Sequence, residues 1–215
     1  MSNDVSIRVN NATSDRDLYI CVFQKPQEAD PNKIFTSLFP CAWEVLALGP
    51  SQTCDPIIYP VQLQASVIES QEARDAIHRK TFQNVNYGEI WDFTRTDDFS
   101  QVLLDPASKG AEGVVAIRNK AQQKVDVGMA KNGSLLVVQQ DLAYDEQADF
   151  QLTPSLFFMA ASHLQKGDLI RSYQITQNYH EVSLTNLSSI DVTVYTKDPT
   201  SGELGWRDSN AISAS

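Results

Sequence analysis

The sequence predicts an all-β protein, a β-sandwich built from two pseudo-repeats with at most one or two short helices. Three observations predict it. Short runs such as Val115/Ile117 and Val125/Val127 alternate apolar with polar or small residues, the period of a half-buried strand. Asn132-Gly133 stands between two apolar runs, and both residues tolerate the positive φ that a two-residue hairpin turn demands. The pattern apolar-x-apolar-x-Asn then occurs three times, at Ile7–Asn11, Val115–Asn119 and Val182–Asn186. In each copy an apolar run (Leu18–Val22, Val125–Val127, Val192–Val194) follows six or seven residues after the Asn. Each copy reads as a strand, an Asn-initiated turn and an antiparallel return strand, because the Asn side chain bonds nearby backbone and accepts a left-handed conformation.

The halves match further. Leu48 and Pro60 lie 94 residues before Leu142 and Pro154. Gly88-Glu-Ile90 resembles Gly167-Asp-Leu169, and Phe99-x-x-Val102-x-Leu104 resembles Tyr179-x-x-Val182-x-Leu184. These matches place one pseudo-repeat at 1–108 and a second at 109–198, as two domains or as one compact domain. The first repeat carries insertions at 24–41 and 69–87. Two prolines and no alternation make Gln24–Lys33 a loop, and the apolar Ile34–Phe39 packs it down. Glu69–Lys80 is either a short helix, with Ser70 as N-cap and Asp75/Arg79 as an i,i+4 pair, or a long polar loop. Thr153–Gly167 has helix-like ends, but its counterpart Val61–Val67 favours a strand over Leu156–Ala160. The polar tail 199–215, broken only by Trp206, is expected to be irregular.

The chain has 215 residues, 42% of them hydrophobic and 20% charged, enough apolar material for a real core. Seventeen basic against 27 acidic residues give a net charge of −10, which disfavours nucleic acid and anionic membranes as partners. There is no apolar run of membrane-spanning length and no signal-peptide pattern at Met1–Val9, so a soluble cytoplasmic protein is expected. Cys21, Cys41 and Cys54 are odd in number and irregularly spaced, which predicts free thiols.

No catalytic, metal or cofactor signature stands out. There is no Gly-rich phosphate loop, no G-x-S-x-G, no C-x-x-C and no H-E-x-x-H. His78, His163 and His180 are scattered, and Asp97-Asp98 lacks calcium-loop spacing. The aromatics are the most informative feature. Trp43, Tyr87 and Trp91 lie in the first half beside its longer loops, with Glu89 and Asp92 near by. Aromatic faces flanked by carboxylates stack and hydrogen-bond sugar rings, so these five residues form the candidate ligand site, the other reading being that Trp43 and Trp91 belong to the core of the sandwich. The pattern of short strands resembles immunoglobulin-like β-sandwiches in general, with a jelly roll as the rival arrangement, and it lacks their Cys…Trp…Cys hallmark. The expected function is non-catalytic: binding of another protein, or homo-oligomeric assembly. A lectin-like glycan-binding module is the alternative, and an enzyme whose site is assembled from distant residues is the second.

Overall fold

The computed structural model describes residues 4–27, 34–68, 80–95, 101–103, 106, 108–175 and 178–213. The helical window at 69–79 and the Asp97-Asp98 pair lie outside them. Among the described residues nineteen strands follow one another, with a 3-10 turn (Ser172–Gln174) between two of the last. The N-terminal block holds β1 (Val5–Asn11), β2 (Leu18–Phe23), β3 (Leu38–Pro40), β4 (Ala42–Leu48), β5 (Gln52–Thr53) and β6 (Ile57–Tyr59). Next come β7 (Leu63–Ile68), β8 (Lys80–Val85), β9 (Glu89–Arg95), β10 (Gln101–Leu103) and β11 (Ser108–Lys109). The third block is β12 (Val115–Asn119), β13 (Val125–Lys131), β14 (Ser134–Leu142) and β15 (Gln147–Phe150). The last is β16 (Ser155–Ala160), β17 (Tyr179–Ser183), β18 (Leu187–Asp198) and β19 (Glu203–Ser213).

The all-β expectation holds, and the strands gather into two compact sandwich-like units. Neither unit follows the spans 1–108 and 109–198. Unit 1 takes residues 1–24, 42–61 and 154–215, and unit 2 takes 25–41 and 62–153. Unit 1 has one sheet in the order β19-β18-β1-β5, with β6 also on β1, and a second in the order β17-β16-β2-β4. Its core joins Ile7 and Val9 of β1 and Val192 and Val194 of β18 to Ile20, Val22, Leu156 and Phe158 of the second sheet, all fully buried. Unit 2 has the orders β10-β9-β12-β15, with β11 on β9, and β8-β7-β13-β14-β3. Phe93 and Ile117 of its first sheet and Val67, Val127, Met129 and Leu136 of its second are likewise fully buried. Units of two apolar-faced sheets follow from strands whose alternate side chains must leave water.

The Asn132-Gly133 hairpin forms as the sequence predicts. φ is +50° and +71° at the two residues, the geometry of a type I′ turn, between β13 and β14. The Asn-initiated motifs do not form hairpins. β1 and β2 belong to different sheets, as do β12 and β13, and β17 and β18. The chain arches from one sheet to the other at each motif, because both flanking strands need partners that local pairing cannot supply.

Two of the three asparagines hold their arches from inside. Asn11 is fully buried; its Nδ2 donates to Arg16 O (3.0 Å), Leu48 O (3.1 Å) and Gly49 O (2.9 Å), while its Oδ1 accepts from Thr13 N (3.0 Å) and Thr13 Oγ1 (2.7 Å). Asn119, also fully buried, donates to Gln123 O (2.7 Å) and Leu142 O (2.9 Å) and accepts from Ala121 N (2.9 Å). Asn186 is different: it is exposed, with φ +56°, and sits in the tight turn that Leu187 N closes onto Leu184 O (3.3 Å). Its side chain is a turn former and not a staple.

Two sequence matches between the halves are also corrected. Gly88 lies between β8 and β9, whereas Gly167 lies in the connection before β17. Val102 is in β10, beside β9, whereas Val182 is in β17, beside β16. Both matches paired look-alike segments that hold different places in their sheets.

Segment 153–167 is a strand, β16, followed by a connection. Its helix-like appearance comes from burial on both faces. Leu156 and Phe158 face the core, while Phe157 and Met159 join Cys21, Phe23 and Ala42 under Leu164 and Ile170 of the long connection to β17. That connection is tied down by Ala42 N to Asp168 O (2.9 Å) and Gly167 N to Ala42 O (2.7 Å). The insertion at 24–41 ends in β3, which adds to β14 through Leu38, Phe39 and Pro40.

Removing a buried amide strands the carbonyls it served, at about 1–3 kcal/mol for a group left unpaired. Asn11→Ala and Asn119→Ala are each expected to lower urea-unfolding stability by at least this much with an unchanged m-value, while Asn186→Gly stays within about 0.5 kcal/mol of wild type. Equal losses at all three positions would show that the buried contacts are not what holds the arches.

Candidate functional site

The five residues singled out in the sequence do not meet at one surface. Trp43, on β4, is 2% exposed in unit 1, where its indole packs edge-to-face on Tyr59 with ring centroids 5.2 Å apart. It offers no face for stacking. The other four lie in unit 2, on β9 and the turn before it. Trp91 is 5% exposed, its alternate position on β9 turning it inward, and its Nε1 donates to Glu89 Oε2 (3.0 Å). Glu89 also accepts from Asn86 N (2.7 Å) and Asn86 Nδ2 (2.9 Å). Partial desolvation pushes this carboxyl up, the hydrogen bonds from Asn86 and Trp91 outweigh it, and the group sits below its ordinary pKa. Asp92 is held bidentately by Arg118, at 2.6 and 2.9 Å. Tyr87 alone of the five is well exposed, at 49%, at the tip of the turn where Gly88 takes φ +83°. The carboxylates meant to read sugar hydroxyls are therefore engaged in holding the turn and the β9/β12 pair.

The cysteines are free. Burial, and then the charge of Asp168, pushes the Cys21 thiol up to about 12, so it stays protonated and unreactive. Cys54 is raised by burial too, and its Sγ accepts from Val9 N (3.1 Å). Among the described residues no three His, Cys, Asp or Glu side chains cluster as a metal site, and no helix is long and apolar enough to cross a membrane.

A feature that the sequence concealed lies at the open edge of unit 1. The C-terminal segment expected to be irregular is β19, eleven residues paired with β18 from Leu187↔Ser213 to Asp198↔Glu203. The turn between them is built on Asp198, whose carboxylate accepts from Thr200 N (2.8 Å) and Ser201 Oγ (2.8 Å) while its carbonyl accepts from Gly202 N (2.8 Å). Those bonds lower its pKa. Arg16 Nη1 reaches Gly202 O (3.1 Å) and ties the turn to the β1–β2 arch. Gly205 is required where it stands: a Cβ there would lie 2.6 Å from the ring of Tyr195, which covers it from the opposite strand.

Strand β19 ends its sheet, and β17 ends the other sheet of the unit. Side chains clip these two edges together. His180 Nε2 lies 2.6 Å from Asp208 Oδ1, and the imidazole stacks on Trp206 at 3° and 6.0 Å between centroids. Asn178 Nδ2 donates to Leu204 O (2.7 Å). The Trp206 Nε1 is buried with no acceptor among the described residues. Past this clip no strand of the described residues pairs with the outer side of β19. Every residue from Arg207 to Ser213 is exposed, Ile212 at 60%. A row of backbone donors and acceptors without a neighbouring strand is a template for another strand.

The fold and this edge define an all-β protein of two sandwich-like units, each assembled from separate stretches of chain. The chain belongs to the RhiA family, whose profile matches residues 3–201. No curated protein and no solved structure matches it.

Truncating Trp43 removes a large packed side chain, and Trp43→Ala is expected to cost about 3–5 kcal/mol in urea unfolding. Tyr87→Ala should stay within about 0.5 kcal/mol. A mild Trp43→Ala variant would return that residue to the list of ligand-contacting groups.

Proposed function

We propose that the protein is a non-catalytic binding protein that acts by assembly, adding the strand of a partner polypeptide to the β19 edge of unit 1. The observation that supports this is the length and openness of that edge: an eleven-residue terminal strand, free of proline, with seven consecutive exposed residues. Backbone pairing along an edge gives affinity, and the exposed Ile212 adds apolar contact. The acidic balance of the chain, −10 overall, selects against nucleic acid and leaves protein strands as the natural occupant. A second copy of the chain brings the same edge, and edges of this kind pair antiparallel about a two-fold axis. The glycan alternative rests on one exposed ring, Tyr87.

Sedimentation analysis of the full chain tests the reading. Self-association is expected, and a double change to Ala211→Lys and Ile212→Lys, which places like charges on the edge, should weaken it at least tenfold, about 1.4 kcal/mol. A chain that stays monomeric at every accessible concentration and captures no partner protein overturns it.

A further inference from the structure

Eight strands of each unit are wired alike, and β6 of unit 1 and β3 and β11 of unit 2 stand outside the scheme. In unit 1 the pairings run β19-β18-β1-β5 and β17-β16-β2-β4; in unit 2 they run β10-β9-β12-β15 and β8-β7-β13-β14. So β1, β2, β4 and β5 hold the places of β12, β13, β14 and β15, and β16–β19 hold the places of β7–β10. The register agrees in detail. β1 pairs in parallel with β18 with Asn11 opposite Val194, and β12 pairs in parallel with β9 with Asn119 opposite Phe93. The next amide closes each pair identically: Ala12 N to Val194 O at 2.8 Å, Lys120 N to Phe93 O at 2.8 Å. Each buried Asn donates to the carbonyl of a leucine 94 residues from its counterpart, Leu48 and Leu142. Leu18 opposite Leu48 matches Val125 opposite Leu142.

In chain order, then, four strand sets follow one another, and each unit is made by crossing them. The first set pairs with the fourth and the third with the second. Neither β1 nor β2 pairs with any of β7–β10, the strands that follow them. Unit 2 closes almost locally, since β9 and β12 are near neighbours in sequence. Unit 1 closes over a far longer separation: β1 and β18 lie at opposite ends of the chain, and loop closure over that distance is slow and entropically costly. Until it closes, the first four-strand set exposes the open sides of β1 and β2. The fourth set, 154–215, is joined covalently to the rest at Gln151–Pro154 alone, a connection held to 25–27 by the Pro26/Leu152 bridge, Gln27 N to Gln151 O (2.7 Å) and Thr153 N to Lys25 O (3.2 Å), bonds that a rerouted connection gives up. The same set on another chain presents the same strands in the same register.

We propose that 154–215 is an exchangeable element, and that a second copy of this chain is its partner: β16–β19 of one chain complete unit 1 of the other, reciprocally. The native pairs β1/β18 and β2/β16 are kept in the exchanged dimer, and only the connection at 151–154 changes course. This goes beyond the self-association reading by naming a second surface for it, the interior pairs of unit 1 beside the β19 edge.

Crosslinks across the β1/β18 pair report which chain supplied the strand. Arg8→Cys with Asp191→Cys places two thiols opposite one another on β1 and β18, at positions open to solvent, and Ser6→Cys with Ser189→Cys does the same two residues earlier. Each is made in the full-length chain on a Cys54→Ser background, unfolded, refolded at roughly micromolar and roughly millimolar chain, then oxidised and run on a non-reducing denaturing gel. The expected result is an intrachain crosslink at low concentration and a reducible covalent dimer, several-fold enriched, at high concentration. Either pair decides the matter if the other disturbs folding. An intrachain crosslink at every concentration overturns the exchange. If light scattering shows a dimer in that sample, edge pairing stands while exchange falls; if it shows a monomer, both fall.

Discussion

Each unit of this protein hangs on a parallel strand pair, β1 with β18 and β12 with β9. Parallel neighbours cannot be joined by a tight turn, so a strand that takes one must receive it from a remote part of the chain. Much of the architecture follows from that demand. It makes the Asn motifs arches between sheets, it draws the C-terminal strands back to the N-terminus, and it makes unit 1 discontinuous in sequence, whereas unit 2 is discontinuous only through 25–41. The buried Asn11 and Asn119 serve the same demand from within. Each terminates its strand at the parallel pair and satisfies backbone groups that the departing chain would leave unpaired in a dry interior.

The same construction explains where exposed structure collects. Closing a sandwich from remote strands leaves terminal strands at the sheet ends. In unit 1 these are β17 and β19, clipped by His180, Asp208 and Trp206 and then exposed along Ser209–Ser213. In unit 2 the β14 side is covered by β3, supplied by the insertion at 24–41. The insertion that looked like a functional loop thus ends in a strand that covers an edge, and the tail that looked like disorder creates one.

The all-β class was legible because period-2 alternation and Asn132-Gly133 are local properties of sequence. So was the equivalence of the Asn11 and Asn119 corners, since the residue type needed to staple an arch is specific. What could not be read was partner choice. Nothing local to Ile7–Asn11 says that it lies against Ile190–Val194 and not against a strand of its own half. Burial on both faces hid β16, whose Phe157 and Met159 sit under an outer connection and erase the alternation. Exposure hid β19, which is held by backbone pairing and shows no apolar period. Trp43 and Trp91 follow the core reading that the sequence also offered, and Glu89 and Asp92, offered beside them as sugar-reading carboxylates, are engaged by Trp91, Asn86 and Arg118.

The claim that matters most is that the units are crossed: 5–11 stands with 187–198, and 115–119 with 89–95. Native-state hydrogen exchange resolved by residue tests it most directly, because segments of one unit open together with one free energy. The account predicts that amides of Val5–Asn11, with Ala12, share their opening energy and their response to Asn11→Ala with Leu187–Asp198, and that Val115–Asn119 and Lys120 respond with Glu89–Arg95 instead. If Val5–Asn11 opens with Glu89–Arg95 while Leu187–Asp198 opens with Val115–Asn119, the halves of the chain are the folding units and the crossed architecture is wrong.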